Sequence, residues 1–213
     1  MTSTLRRTAR PGGPVPRFAP WRLYAKLPGG LRGWVDRVGI LRRLKHRTLG
    51  VRADRVLVLL DAMATADVET WLSGGWGVDA LAGRQTRDHH DLDLVVRTED
   101  TDSAVRCLTA LGFSLYMERD VPEALLSKSL VFRDALGRHV DLHPAHIGRE
   151  GTEAGPAAAS LSGGALGTGS IRGRPVRCLT AAAQIELHGG YEPRERDLQD
   201  LAVLRGVLGS APA

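Results

Sequence analysis

The chain has 213 residues, 43% of them hydrophobic, which is enough apolar material for one compact domain with at most a small second lobe. No run of about 18 apolar residues occurs, so the sequence predicts no membrane-spanning helix. The N-terminal stretch also lacks the apolar core of a secretory signal peptide. The net charge of +5 is unevenly distributed: residues 1–50 hold 12 of the 29 Lys and Arg but only one of the 24 acids, Asp36. The sequence therefore consists of a basic arm and a mildly acidic body.

The arm, residues 1–50, is rich in Pro, Gly and Arg and is expected to be a poorly ordered extension. Its charge could also contact nucleic acid or an anionic membrane, and an Arg-rich, acid-poor arm is typical of an organellar transit peptide. Cys107 and Cys178 lie far apart in apolar surroundings, so we expect two reduced thiols and a cytoplasmic protein.

The body alternates helical and extended patterns without regular βαβ spacing, which favours an α+β fold. Apolar residues at helical spacing predict a first helix, and a short strand, a Ser-Gly-Gly turn and a helical turn follow. Alternation predicts a strand over 90–96, and two further helices close the chain after a long Gly- and Ala-rich stretch. The predicted helices cover 53–66, 77–82, 102–111, 181–188 and 195–208. The predicted strands cover 68–72, 90–96, 113–118, 129–133 and 138–143, with a loop over 148–170 and a small closing element over 171–176.

The segment before the apolar run 94–96 carries the first chemical signal. Asp91 and Asp93 are two residues apart, which on a strand places them on one face. Two carboxylates this close repel unless a cation lies between them, and Mg²⁺ prefers such oxygen ligands. Two solvated acids at a strand end are the alternative.

Asp141, in the sequence RHVDLHP, adds a third acid inside an apolar strand. If that strand pairs beside the first, three carboxylates converge, and such a set can hold two Mg²⁺ ions for nucleotidyl transfer. A turn at Ser73, Gly74 and Gly75 fits this scheme because glycine lets a phosphate approach backbone N–H groups. The candidate phosphate-contacting residues between the turn and the acids are Arg84, Thr86 and Arg87.

The stretch GGWGVDALAGRQTRDHHDLDLVV resembles the core of the antibiotic nucleotidyltransferases of the polymerase-beta-like superfamily. The resemblance is greatest to the lincosamide group and next to the aminoglycoside 2″-nucleotidyltransferases. It continues in HVDLHP, GTGSIRGRPVRCLT and QIELHGGYEPRERDLQDL, and it covers roughly residues 52–208. The basic arm is not part of the family pattern.

The resemblance implies a mixed sheet flanked by helices in a nucleotidyltransferase core, residues 51–147, and a C-terminal helical part, 148–213, that completes the acceptor cleft. It implies that Asp91 and Asp93 bind Mg²⁺ and that Asp141 is the third carboxylate and the general base. Ser73, Gly74 and Gly75 would hold the phosphates of ATP. AMP would pass to a hydroxyl of a small molecule, a lincosamide or an aminoglycoside antibiotic, in an enzyme that sometimes dimerises. The residues expected to bind the acceptor are His143, Gln184, His188 and Tyr191.

Two other functions stay open at this point. A nucleotidyltransferase toxin would modify tRNA or protein and use the basic arm to bind RNA. A non-catalytic nucleotide-binding relative is disfavoured because all three carboxylates are present.

Several residues have competing interpretations. His90, Asp91, His139 and His143 could bind zinc instead, although the acids and glycines favour Mg²⁺. His188 could cap its own helix, and Asp197 and Asp200 are expected to be solvated helix charges or to bind a drug amine. Core packing is expected for Trp71 and Trp76, a hydrogen-bonding role in the loop for Asp79, and an exposed position for His89.

Overall fold

The computed structural model describes residues 50–120, 126, 128–147, 160–161, 163–190 and 192–209. The basic arm up to residue 49, and Tyr191 among the predicted acceptor residues, lie outside the described residues. The helices are α1 (Ala53–Thr65), α2 (Gly74–Ala82), α3 (Thr101–Ala110), α4 (Ala181–Leu187) and α5 (Glu195–Gly209). The strands are β1 (Thr70–Ser73), β2 (Asp93–Arg97), β3 (Phe113–Asp120), β4 (Lys128–Asp134), β5 (His139–Ile147), β6 (Ser160–Leu161), β7 (Leu166–Ile171) and β8 (Arg174–Leu179).

The described strands form a mixed sheet in the order β3-β4-β5-β2-β1-β8-β7, with β6 paired to β5 outside this path. The β2–β5 and β1–β8 pairs are parallel, and β1–β2, β3–β4, β4–β5 and β7–β8 are antiparallel. Helices and a mixed sheet in one body confirm the predicted α+β class. The strands after residue 160 join the same sheet through β8, which lies beside β1.

The core lies between the sheet and the helices. On α1, Val56, Leu59 and Met63 follow one another at helical spacing and are fully buried, as the sequence pattern predicted. Burying each such side chain stabilises the fold by about 1.5–3 kcal/mol relative to exposure. Strand β2 runs through the centre of the sheet, and its residues Leu94 and Val95 are both buried because the strand is covered on both faces.

Several boundaries differ from the predicted ones; the strand predicted to end at residue 143, for example, continues through Pro144 to Ile147. Three other differences bear on the site. Helix α2 begins at Gly74, so the two glycines form its first turn rather than a turn ahead of it. Strand β2 begins at Asp93, so Asp91 lies in the approach to the strand. The loop predicted over 148–170 is wrong for 160–161 and 166–170, because β6 and β7 lie there, and β7 pairs with β8 in a hairpin.

Trp71 and Trp76 are buried in the core as predicted, and both cysteines are free thiols. No helix in the described part of the chain is both long and apolar enough to cross a membrane.

Candidate active site

Two acids meet where β2 lies parallel to β5. Asp93 is paired in register with Asp141, so the two Cα atoms are direct neighbours across the sheet. The pairing starts at the first residue of β2, and a backbone hydrogen bond of 2.8 Å from the Asp141 N–H to the Leu92 carbonyl holds this end of the ladder. The strand pairing on which the sequence prediction depended is therefore present.

Electrostatics link Asp91, Asp93 and Asp141 into one group. Burial, followed by the charge of Asp93, raises the pKa of Asp91 and raises that of Asp141 to about 7. Burial would also raise the pKa of Asp93, but a hydrogen bond and the charge of His143 hold it below its usual value. The three carboxylates titrate as a coupled set, and ionising all of them without a cation is costly.

Two cationic or polar side chains already contact these acids. Arg119 on β3 donates a 2.5 Å hydrogen bond to the Asp141 carboxylate, and its side chain is 46% exposed. His143, which is buried, places Nε2 3.2 Å from Asp93 Oδ1. His143 was predicted to bind the acceptor, and the structure places it against a carboxylate at the wall of the same cavity. Arg119 was not predicted, because nothing local marks it: only the pairing of β3, β4 and β5 brings it to Asp141.

The atoms around Gly74 and Gly75 leave no room for a side chain at either position. Gly74 has φ +55°, and a Cβ there would lie 2.3 Å from Asp93 Oδ2. A Cβ on Gly75 would lie 2.3 Å from His89 Nδ1 and 2.5 Å from an Arg87 guanidinium nitrogen. Ser73 precedes them without a side-chain capping bond, so its hydroxyl does not cap the first N–H groups of α2.

The three residues predicted to contact phosphates lie in the loop between α2 and β2, and the structure places each of them differently. Arg87 forms a two-fold ion pair with Asp200 on α5, at 2.9 and 2.6 Å. The Thr86 hydroxyl bonds to Asp79 rather than facing the cavity, and Arg84 is exposed away from the cavity. Asp79 thus has the loop-fixing role that was predicted, whereas His89 is 2% exposed and its predicted exposure is wrong.

Helices α4 and α5 form the opposite wall. Gln184 is fully buried, and neither polar atom of its side-chain amide has a hydrogen-bond partner among the described residues. His188 Nδ1 lies 2.7 Å from the Gln184 carbonyl oxygen, the contact expected of a residue that caps its own helix. Asp197 and Asp200 are buried, which contradicts the expectation of solvated charges: Asp197 pairs with Arg194 at 2.9 Å and Asp200 with Arg87.

These elements enclose a cavity of about 450 Å³. Among the described residues its lining comprises Ser73, Gly74, Gly75, Arg87, Asp91, Asp93, Arg119, Asp120, Leu126, Asp141, His143, Gln184, Leu187, His188, Arg194, Arg196, Asp197 and Asp200. The three acids, the glycine turn, Arg87, His143, Gln184 and His188 were predicted from the sequence as site residues, and they share this one space.

The donor chemistry of the cavity fits a hard divalent cation. Carboxylate oxygens from Asp91, Asp93 and Asp141 are the ligands that Mg²⁺ prefers, and their mutual repulsion favours a cation among them. Within the described residues, however, no three His, Cys, Asp or Glu side chains form a ready-made metal site. The zinc set predicted as an alternative is accordingly not assembled, and His139 instead bonds to Arg133 at 2.8 Å.

Comparison with known proteins identifies the family of this chain. The sequence profile of the aminoglycoside-2″-adenylyltransferase family matches residues 55–204. A lincosamide resistance protein of Staphylococcus haemolyticus is 26% identical over 161 residues, which are 74% of this chain and 96% of that protein. A 2″-aminoglycoside nucleotidyltransferase of Escherichia coli is 31% identical over 128 residues, 58% of this chain and 67% of that protein.

Solved structures give the same result. The crystal structure of the lincosamide antibiotic adenylyltransferase LnuA with lincomycin bound superposes with a TM-score of 0.61 at 25% identity, over 74% of this chain and 99% of that one. The structure of ANT(2″)-Ia in complex with adenylyl-2″-tobramycin has a TM-score of 0.55 at 23% identity, covering 74% and 90%, and shares the fold.

The fold is that of a nucleotidyltransferase. More particularly, the chain belongs to the aminoglycoside-2″-adenylyltransferase family, because the family profile spans most of the body. The resemblance read from the sequence is confirmed.

Proposed function

We propose that the protein transfers AMP from ATP to a hydroxyl of a small antibiotic-like acceptor, with Mg²⁺ as the cofactor. A lincosamide is the first candidate and an aminoglycoside the second. The observation that carries this proposal is the register of Asp93 with Asp141, together with Gly74 beside the Asp93 carboxylate. Acids and the glycine turn thereby border one cavity, which is what phosphoryl-group positioning requires.

Asp91, Asp93 and Asp141 would hold the metal. When bound, Mg²⁺ supplies positive charge that neutralises the triphosphate and the developing charge at the reacting oxygens. Arg119 now occupies a carboxylate oxygen of Asp141, so the cation and Arg119 compete for that group. Because Arg119 is nearly half exposed, its side chain can swing from Asp141 toward a phosphate.

The protein's own groups have distinct tasks. The N–H groups at the start of α2 and the guanidinium of Arg87 lie where they can bind triphosphate oxygens. Asp141 accepts the proton from the acceptor hydroxyl, since its carboxylate lines the cavity beside Asp93. Gln184 and His188 lie on the opposite wall, where they can bind and orient the acceptor.

Charge in the cavity favours an acceptor with few positive groups. Beyond the three carboxylates proposed to hold the metal, the lining has three acids: Asp197 and Asp200 are already paired with Arg194 and Arg87, and the third is Asp120. A polycationic aminoglycoside needs unpaired acids for its ammonium groups, whereas a lincosamide carries a single amine. The lincosamide is therefore the first candidate, in agreement with the higher TM-score to LnuA with lincomycin bound.

The test is a mass-spectrometric assay with Mg²⁺, ATP and a panel of lincosamides and aminoglycosides. The wild-type chain is compared with Asp93→Asn and with Asp102→Asn, a matched control at an exposed acid on α3. We expect one AMP to be added to a lincosamide by the wild type and the control but not by Asp93→Asn.

Other outcomes would contradict parts of the proposal. Transfer to aminoglycosides alone would refute the charge argument and keep the reaction. Transfer that persists in Asp93→Asn would refute the role of the acid pair. Absence of ATP binding would refute the nucleotidyl-transfer reaction itself.

A further inference from the structure

A buried polar network lies beside the cavity, and the proposed reaction does not use it. Asp79 on α2 is fully buried, and its carboxylate accepts two hydrogen bonds from Thr86, one from the backbone N–H at 2.9 Å and one from the hydroxyl at 2.5 Å. Its second oxygen lies 2.5 Å from His89 Nε2. An ionised carboxyl in the core is costly unless such bonds compensate it, so this site is built around specific contacts.

The network fixes His89 from several sides. The imidazole packs against Trp76 with ring centroids 4.7 Å apart, and the His89 carbonyl accepts a 3.1 Å bond from the Val51 N–H. An ionised Asp79 can only accept a hydrogen bond, and in that state the contact requires the tautomer of His89 with hydrogen on Nε2. The other ring nitrogen, Nδ1, then faces Gly75.

The position of His89 connects the two halves of the active site. On one side, a Cβ on Gly75 would lie only 2.3 Å from His89 Nδ1, so the ring is in close contact with the glycine turn. On the other side His89 is only two residues before Asp91, and the chain then enters β2 at Asp93. The same turn contacts Asp93 directly through Gly74.

We propose that Asp79 and His89 are positioning residues, which hold the glycine turn and the Asp91–Asp93 segment at a fixed separation. Asp79 anchors this spacing to α2, the helix that the glycine turn begins, so the phosphate-binding and carboxylate elements share one rigid support. This inference rests on the proposed function for its catalytic consequence, while the ordering of the loop is a property of the protein alone.

Two variants perturb the network. Asp79→Leu removes all three hydrogen bonds of the Asp79 carboxylate and replaces it by a side chain of similar volume. Thr86→Val removes only the bond from the Thr86 hydroxyl. Asp79→Asn is the conservative variant, because an amide oxygen still accepts from Thr86 and its NH₂ can donate to the other tautomer of His89. Thr109→Val is the matched control: it also deletes a hydroxyl bond, of 2.8 Å to the Val105 carbonyl, on exposed α3 away from the site.

Two measurements are made on the full chain. Hydrogen–deuterium exchange of the metal-free protein reports the order of residues 84–91, and steady-state kinetics report kcat and KM for ATP. We expect Asp79→Leu to speed exchange in 84–91 by about tenfold or more and to lower kcat by about 10- to 100-fold, in line with the cost of displaced catalytic groups. Thr86→Val should show a smaller change in the same direction, Asp79→Asn should recover most of both quantities, and Thr109→Val should change neither.

Unchanged exchange and kcat in Thr86→Val would overturn the proposal, as would equal losses in Thr86→Val and Thr109→Val. If Asp79→Leu does not fold, the comparison of Thr86→Val with Asp79→Asn still tests the proposal. If the wild type transfers no nucleotide, the proposed function fails, whereas faster exchange confined to 84–91 would still support the positioning role.

Discussion

Replacing Gly74 by Ala tests whether the glycine turn positions Asp93. The new Cβ would lie 2.3 Å from Asp93 Oδ2 and 2.9 Å from its Cγ, so the two groups must separate by about 1 Å to reach van der Waals contact. The atoms it meets are the movable end of a side chain, so folding survives and the carboxylate moves. A displacement of about 1 Å at a reacting group costs on the order of 100-fold in rate.

A second cost comes from the backbone and can be measured separately. Gly74 has φ +55°, and holding a non-glycine residue in the left-handed region costs about 1–2 kcal/mol. Gly112, with φ +85° and nothing within 4 Å of its Cβ position, is the matched control, because Gly112→Ala introduces strain alone.

Both variants should therefore lose about 1–2 kcal/mol of unfolding free energy in urea titrations. Only Gly74→Ala should lose about 100-fold in kcat/KM, measured as pyrophosphate release. Activity in Gly74→Ala within threefold of Gly112→Ala would refute the claim that this turn places Asp93.

Three further predictions concern other parts of the cavity. Gln184→Met removes a buried amide that has no hydrogen-bond partner in the described part of the chain, so Tm should rise by a few degrees while KM for the acceptor rises; a lower Tm would show that the amide stabilises the fold. Asp200→Asn weakens the two-fold bond to Arg87, so KM for ATP should change in steady-state kinetics, whereas Asp61→Asn, which loses an exposed pair with Arg174, should leave KM unchanged. In EDTA-treated protein, Asp141 has a pKa of about 7 against the usual 3.8. Its contribution to the free energy of unfolding is therefore fully present below about pH 4 and is lost as the pH rises through 7. Asp141→Asn should remove this loss, which amounts to roughly 4 kcal/mol at most, and equal pH profiles of wild type and variant in urea titrations would contradict the assignment.

The sequence predicted the elements whose signal is local. The spacing of Val56, Leu59 and Met63 gave helix α1, and the alternation around Leu94 gave strand β2. A threonine just before a predicted helix is typical of an N-terminal cap, and the Thr180 hydroxyl accepts from the Ala183 N–H at 3.4 Å. In each case the determining contacts lie within one or two turns of the residue itself.

Residues placed by long-range contacts could not be predicted in the same way. Arg119 reaches Asp141 only because β3, β4 and β5 are adjacent in the sheet. Asp200 looked like a helix surface charge, yet its partner Arg87 lies 113 residues earlier in the chain. His89 was expected to be exposed, but Asp79, from the preceding helix, makes its burial possible.

The counter-charges at the acids link cation binding to the sheet edge. In the protein without a cation, Arg119 compensates Asp141 and His143 compensates Asp93. A cation that binds the same Asp141 oxygen competes with Arg119 for its lone pairs, and its charge repels the guanidinium. The released guanidinium then stays within reach of the cavity, where the triphosphate is its nearest anionic partner. Cation and nucleotide should therefore bind with positive cooperativity, and substituting Arg119 should reduce that cooperativity.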